Sequence, residues 1–434
     1  METKLKRIKE RSSQNPKEVF TSLGHLINEE LLLLCHQELD GHKAVGIDQV
    51  TKSQYAENLT ENIHQIVEKL KRKAYRPQPV RRVYIPKADG KEVRPLGIAT
   101  YEDKLVQLAL KKILEAVFEP HFLEFSYGFR PNRNAHEALK TLSTCIEKGK
   151  VSYIVDADIQ GFFEHVNHEK LIECVQKRIQ DPNIIRLIRR FLLAGIMDDG
   201  NWEPSEMGTS QGSIISPLLA NIYLHYGLDL WFEIAVKPNM RGEAYIVRYA
   251  DDFVCGFQYQ SDAENFYKAL KHQLDKFSLS IQKEKSKIIP FGRFAEQNRA
   301  DQGQGKPETF DFLGFTHYCS HSRDGGRFRV KRKTSRKKFS KKIKEFTIWM
   351  KVHRHMDRKE MMKIVTSKLV GHYRYYGVTD NFSMMQKYYF EVLKSLYKWL
   401  NRRSQRQSFT YDQFNQYLKR FPLPFPRIYF NVYA

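Results

Sequence analysis

Tyr249-Ala250-Asp251-Asp252 lies between the runs Ala244-Tyr245-Ile246-Val247-Arg248 and Phe253-Val254-Cys255-Gly256-Phe257, so two adjacent acids fall at the turn of a candidate β-hairpin. Like charges side by side are costly in an apolar setting unless a cation or solvent compensates them. A solvated Asp-Asp turn is the plain reading. A second stretch shifts it: Val155-Asp156-Ala157-Asp158 ends a short buried-looking strand that begins at Tyr153, and Gln160-Gly161-Phe162-Phe163 follows. Hard oxygen ligands on two strand ends suit Mg²⁺, which keeps several waters and takes one or two protein carboxylates plus substrate phosphates. Two such ions, ~3.5 to 4 Å apart, activate an attacking hydroxyl and stabilise a leaving pyrophosphate in in-line phosphoryl transfer. Polymerase and nuclease chemistry both fit, and spacing alone does not choose between them.

Outward from these acids, Pro217 to Phe232 is apolar over much of its circumference and predicts a buried helix. Val80 to Pro86 and Val93 to Ile98 predict a hairpin with Asp89-Gly90 at its tip. Asp103 is the expected cap of a long periodic helix through Phe118. The first forty residues read as helix after Asn15-Pro16, and Tyr55 to Lys71 as another. Residues 295 to 309 predict an exposed loop and Phe310 to His317 a strand, and after Arg327 the pattern is helical again and strongly basic, through three candidate helices near 337–353, 359–376 and 382–401. Pro422, Pro424 and Pro426 predict an extended tail.

The chain has 434 residues and a formal charge of +22, unevenly placed. Residues 1–320 hold 44 basic and 43 acidic side chains, whereas 321–434 hold 28 and 7, so nearly all the excess is in the last quarter. A concentrated excess marks a polyanion-binding face. The longest aliphatic stretch, Leu31 to Leu34, falls far short of the ~20 residues of a membrane span, so no membrane is expected. Cys35, Cys145, Cys174, Cys255 and Cys319 stand singly, which argues against a disulfide framework or zinc cluster and suits a reducing cytoplasm.

With Gln211-Gly212-Ser213-Ile214-Ile215-Ser216-Pro217-Leu218-Leu219-Ala220-Asn221 and Asp158-Ile159-Gln160-Gly161-Phe162-Phe163 upstream of Tyr-Ala-Asp-Asp, the chain resembles the reverse transcriptases encoded by group II introns. Gly46-Ile47-Asp48, Arg81 to Lys87, Arg94-Pro95-Leu96-Gly97-Ile98, Tyr127-Gly128-Phe129-Arg130-Pro131, Glu284-Lys285-Ser286, Phe312-Leu313-Gly314-Phe315 and Gly371 to Tyr376 extend the resemblance in one order over roughly residues 40–430. It implies an α+β right-hand polymerase: N-terminal extension and fingers over 1–150, a palm with an antiparallel sheet over 151–320 with a fingers insertion near 180–207, and a basic helical thumb over 321–434. It also implies RNA-directed DNA synthesis from a DNA or RNA primer on an RNA template with dNTPs, and a maturase role toward group II intron RNA in the bacterial cytoplasm. A host-domesticated or antiviral enzyme and a non-catalytic RNA-binding splicing factor are the alternatives.

Residue by residue, the resemblance implies that Asp158 and Asp251 bind two Mg²⁺ ions, with Mn²⁺ as substitute, Asp252 as third acid and the Ile159 carbonyl contributing. Asp156 is set aside because the family's acid directly precedes Ile-x-Gly-Phe-Phe. Phe163 would reject a 2′-hydroxyl, its alternative being core packing, while Gln211 supports the sugar. Lys87 and Arg94 would meet the triphosphate and Lys285 the leaving pyrophosphate. His168 and Asn167 read as local hydrogen-bonding residues. Ser210, Ser213 and Glu164 depart from the family pattern without touching the metal ligands. In the basic quarter, Arg327, Arg329, Lys331, Arg332, Lys333, Arg336, Lys337, Lys338, Lys341 and Lys342 are expected to hold nucleic acid by counterion release. The interleaved aromatics, Tyr373 and Tyr376 among them, read mainly as helical core. No paired Cys or His constellation of an appended endonuclease appears, and target-strand cleavage is not expected.

Overall fold

The computed structural model describes residues 1–86, 93–322, 324–404 and 408–433 as mixed helix and sheet in two compact units. Unit one comprises Met1–Asn134, Val155–Cys255 and Ser261–Lys287; unit two comprises Ala135–Ile154, Gly256–Gln260 and Ile288–Ala434. Each unit is therefore assembled from several chain segments, whereas the expected boundaries near 150 and 320 follow chain order alone. Among the described residues no helix is long and apolar enough to cross a membrane.

Unit one is organised on the helix Tyr101–Phe118, whose Leu105, Val106, Ala109, Leu110, Ile113, Leu114, Val117 and Phe118 are fully buried. Its cap is Thr100, not Asp103: Thr100 Oγ1 accepts from the Asp103 N–H at 3.1 Å. Asp103 sits inside the first turn, where its carboxylate accepts from Tyr75 O–H at 2.6 Å and Gln78 N–H at 3.0 Å. β1 (Val80–Pro86) and β2 (Val93–Ile98) pair antiparallel as expected, from Arg81 opposite Ile98 to Pro86 opposite Val93. Lys87 and the Asp89-Gly90 tip lie outside the described residues. β3 is Tyr153–Asp158. β4 (Ile196–Asp198) and β5 (Asn201–Glu203) complete a sheet of order β2-β1-β4-β5, with β1 and β4 parallel. β6 (Ala244–Tyr249), β7 (Asp252–Phe257) and β8 (Lys287–Pro290) join β3 in the order β6-β7-β3-β8.

Two expected helices of unit one are broken. After Glu2–Gln14 the chain is extended enough for Phe20 to bridge Ile179, and it turns at Gly24–Leu26 because the Asp181 carboxylate takes the N–H groups of Leu23 and Gly24. Helix resumes at Glu29–Glu38 behind Asn28, whose side chain accepts from Leu31 N–H. The second is split into Lys52–Ala56 and Leu59–Lys71. The buried helix starting at Ser216 is present to Leu224, then widens into π turns at His225–Asp229 and Phe232–Val236.

Unit two carries a sheet as well as helices: the strand expected near Phe310 to His317 is present, and a further strand at Phe328–Thr334 departs from the helical pattern expected after Arg327. β9 (Phe310–Phe312) and β10 (Phe315–His321) turn on Leu313 and Gly314, both at positive φ, and β11 (Phe328–Thr334) pairs antiparallel with β10 from Phe315 opposite Thr334 to His321 opposite Phe328. Phe328–Thr334 is thus strand where helix was expected, and period two decides which side chains are inside. Val330, Arg332 and Thr334 are buried, while Arg329, Lys331 and Lys333 point the other way. The helices Arg336–His353, Arg358–Tyr376 and Phe382–Leu400 match the three expected, and Tyr411–Arg420 adds a further one. Ala295–Asp301 is helical inside the expected loop. Tyr373, Tyr376 and Tyr388 are buried, as their helical spacing indicates.

Candidate active site

The turn that carries the paired acids is held from behind. β6 and β7 are joined by Ala250-Asp251, and Ala250 adopts φ +57°, a conformation that costs a residue with a β-carbon about 1 kcal/mol or more. Arg248, fully buried, opposes that strain. Its guanidinium donates to the Ala250 carbonyl at 2.9 Å, to Asn221 Oδ1 at 3.1 Å, to Ser126 Oγ at 2.7 Å and to both carboxylate oxygens of buried Asp229. Asn221 in turn donates to the Gly128 carbonyl at 2.7 Å. A β-carbon at Gly128 would stand 2.2 Å from the Ala250 nitrogen, so only glycine lets this segment lie against the turn. Arg248, Asp229 and Ser126 were not picked out from the sequence; the available signal was an arginine within an otherwise apolar strand and an aspartate within an otherwise apolar helix.

Asp158 at the end of β3 is clamped by the segment Ser280–Ser286. Gln282 N–H donates to the Asp158 carbonyl at 2.8 Å and Gln160 N–H to the Ser280 carbonyl at 2.9 Å, flanking the bridge between Ile159 and Ile281. Both bonds come from neighbours of Ile159, which leaves its own carbonyl outside the bridge. Lys285 Nζ stands 3.5 Å from Asp158 Oδ2, with both side chains about half exposed.

The Asp158 charge acts on Asp251. Burial raises the Asp251 carboxyl above the usual range and the Asp158 charge raises it further, opposed by a backbone hydrogen bond and by the charges of Arg94 and Arg248. Asp252 opens β7 as an exposed residue, and among the described residues no three His, Cys, Asp or Glu side chains form one metal-holding group. Two carboxylates, one ending β3 and one in the turn before the neighbouring strand β7, nevertheless suit an Mg²⁺-type ion, which needs few protein ligands and offsets their like charge.

A cavity of about 340 Å³ is lined by Phe163, Gln211, Gly97, Leu96, Arg82 and Met207 among others. The two phenylalanines divide their tasks: Phe162 is buried, and Phe163, packed edge-on against it at 5.2 Å, faces the cavity. β2 and the Ser210–Gly212 loop approach so closely that a β-carbon at Gly97 would meet Ser210 Oγ at 2.0 Å. Gly97 N–H donates to the Gln211 carbonyl at 2.6 Å. Arg94, at the exposed end of β2, reaches the site through its charge on Asp251. Lys87 is not among the described residues.

In the basic region, Arg332 is corrected. It is buried on the inner face of β11 and donates to Ser143 Oγ at 2.9 Å and to the Val330 carbonyl, so it belongs to the core and not to a nucleic-acid face. Arg329 is ion-paired with Glu147 at 2.7 Å. Lys341 and Lys342 share Glu345 at 3.4 and 3.0 Å. Arg327, Lys333, Arg336, Lys337 and Lys338 are exposed, and Lys331 is half-exposed.

Residues 85–317, more than half of the chain, match the sequence profile of the family described as reverse transcriptase (RNA-dependent DNA polymerase). The chain belongs to the reverse transcriptase family. Within it, the chain is 42% identical over 225 residues to the group II intron-encoded protein LtrA of Lactococcus lactis subsp. cremoris, a match covering 51% of this chain and 37% of that protein. It is 34% identical over 244 residues to protein YkfC of Escherichia coli, covering 49% and 63% of the two chains. A 91 kDa protein in the cob intron of Schizosaccharomyces pombe is 37% identical over 208 residues, 48% of this chain and 25% of its own. The reverse transcriptase chain thus spans less than two thirds of the length of each of these relatives. The matched stretch includes Asp158, Phe163, Gln211, Asp251 and Asp252 of the candidate site.

Proposed function

We propose that the chain is an RNA-directed DNA polymerase that adds dNTPs to a primer 3′-hydroxyl on an RNA template, and that it serves group II intron RNA as a maturase. The observation that supports the reading is that Asp158 ends β3 and Asp251 lies in the turn before β7, the neighbouring strand of the same sheet, so that the Asp158 charge acts on Asp251, while Phe163 and Gln211 line a cavity. Asp158, Asp251 and Asp252, with the Ile159 carbonyl, would hold two Mg²⁺ ions or Mn²⁺ in their place. When bound, such ions supply activation of the attacking hydroxyl and charge stabilisation of the leaving pyrophosphate. Lys285, already at the Asp158 carboxylate, would turn to the departing phosphate oxygens, and Arg94 with Lys87 would fix the triphosphate. Phe163 would close the slot beneath the sugar against a 2′-hydroxyl and Gln211 would support the sugar edge.

In this reading the architecture is a right hand. The β2-β1-β4-β5 sheet with the N-terminal helices serves as fingers, the β6-β7-β3-β8 sheet as palm, and the helices after residue 335 as thumb. The exposed basic residues from Arg327 to Lys342, Arg332 excepted, would grip template, primer and intron RNA in a cytoplasmic setting. Relatives described as intron proteins support the maturase part. No observation favours a domesticated enzyme, and the intact acid pair speaks against a relic site.

The test is primer extension on defined RNA and DNA templates with dNTPs or NTPs, comparing the native chain with Asp251→Ala/Asp252→Ala. The expected result is dNTP-dependent extension, lost in the double variant while RNA affinity is largely kept. Extension that survives the double change sinks the assignment.

A further inference from the structure

The loop Gly208–Gly212, which forms one wall of the cavity, is tied to the Phe163 segment by three hydrogen bonds, two of them between main-chain groups. Thr209 N–H donates to the Phe163 carbonyl at 2.7 Å and Gly208 N–H to the Val166 carbonyl at 2.8 Å. The third comes from a side chain: His168 Nε2 lies 2.6 Å from the Gly208 carbonyl in a buried contact. A carbonyl only accepts, so Nε2 carries the proton, and imidazole or imidazolium serves equally. The histidine is itself fixed. It is the first residue of the helix His168–Gln176, capped by the Asn167 side chain through Lys170 N–H at 3.0 Å, and it is 8% exposed. Gly208 has φ +83°, and a β-carbon there would meet the Phe163 carbonyl at 2.8 Å, so the loop sits as close to Phe163 as backbone allows. At its other end the same loop is held to β2 by Gly97 N–H on Gln211.

We propose that His168 is a positioning residue for sugar selection: by pinning the Gly208 carbonyl it sets the gap between Phe163 and Gln211, and with it the room beneath a bound nucleotide's sugar. This rests on the polymerase reading given above. The contribution is one of geometry, since His168 does not line the cavity; loss of its donor frees the loop to move away from Phe163 and lets a 2′-hydroxyl fit.

The test compares the ratio of dNTP to NTP incorporation efficiency in the native chain, His168→Leu and His168→Gln, with thermal melting of each. Leucine fills similar volume without a donor; glutamine restores an N–H near Nε2. The expected result is a roughly tenfold fall in the ratio for leucine, arising in KM and incorporation of NTPs more than in kcat with dNTPs, and recovery to within about twofold for glutamine. An unchanged ratio in folded His168→Leu overturns the proposal, as does an equal fall in both variants, which would mark a packing role. If His168→Leu does not fold, Gly208→Ala pushes on the same contact from the loop side, and an unchanged ratio there overturns it too. A native chain that extends no primer would instead sink the polymerase reading itself.

Discussion

Arg248 donates to the carbonyl of Ala250 at 2.9 Å, so the strand that delivers Asp251 is tied back upon itself at the residue with φ +57°. The same guanidinium neutralises Asp229, buried as completely as itself. Arg248→Met would leave that carboxylate without its partner, at an expected loss of about 3 to 5 kcal/mol in denaturant unfolding. Arg248→Met with Asp229→Leu removes both charges and should recover most of the stability. Extension should remain impaired in the double variant, because the tie to Ala250 is still missing.

Asp251→Asn removes the charge on which Asp158 acts. Primer extension should fall by ~10²- to 10³-fold, and calorimetric affinity for Mn²⁺ should fall with it. In metal-free buffer the melting temperature should rise by about 1 to 3 °C, since burial first and the Asp158 charge second disfavour the ionised carboxylate. A lower melting point would contradict the cost of ionisation inferred from the raised Asp251 carboxyl.

Phe162 and Phe163 should respond oppositely to truncation. Phe163→Ala opens the cavity and should admit NTPs, lowering dNTP preference by up to ~10²-fold with little loss of stability. Phe162→Ala empties a core position and should cost about 3 to 5 kcal/mol. Equal effects on both readouts would mean that the two rings are not divided between core and cavity.

Alternation along β11 separates basic residues that a charge count treats alike. Each of Lys331→Ala and Lys333→Ala should lower the slope of log RNA affinity against log salt by about one unit if its side chain meets a phosphate. Arg332→Ala should leave the slope unchanged and lower the melting temperature, because its guanidinium is bonded inside unit two. Deletion after Ser320 would strip β11 from β10, so point variants are the proper test of the grip.

Acid should weaken unit two. His372, stacked on Tyr388 at 3.7 Å with neither ring nitrogen hydrogen-bonded, is pushed by burial down to about 3, and burial lowers His317 to about 3 as well. A histidine with a folded-state value below its unfolded one binds its proton more readily when unfolded. Stability is therefore fully present above about pH 6.5 and falls as pH drops toward 3. Melting at pH 7 and pH 5 should show the loss, and His372→Phe, which keeps the stacked ring, should flatten part of it. An unaltered pH profile would count against a neutral buried His372.

Local chemistry was legible without coordinates wherever one stretch of chain supplied the whole signal. The antiparallel strands Val80–Pro86 and Val93–Ile98 and the hairpin at Ala250-Asp251 follow from alternation, with Arg81 to Pro86 pairing Ile98 to Val93 in the expected sense. The helix Tyr101–Phe118 follows from its apolar period, although Thr100 and not Asp103 caps it, because Tyr75 and Gln78 claim the aspartate. Phe328–Thr334 was misread as helix because a run of lysines and arginines hides the alternation that burial then exposes.

The sequence by itself determined which residues are candidates for the chemistry: the acids at Asp158, Asp251 and Asp252, the neighbouring Phe162-Phe163 and Gln211, and a terminal charge excess. These depend on composition and spacing within short segments. Tertiary structure alone decided that the Asp158 charge acts on Asp251, that Phe163 and not Phe162 meets the cavity, that Arg332 is internal, and that Arg248 is bonded to the Ala250 carbonyl and His168 to that of Gly208. The reason is physical: a side chain's burial, charge state and hydrogen-bond partner are set by neighbours brought from distant parts of the chain, and no local pattern encodes which neighbour arrives.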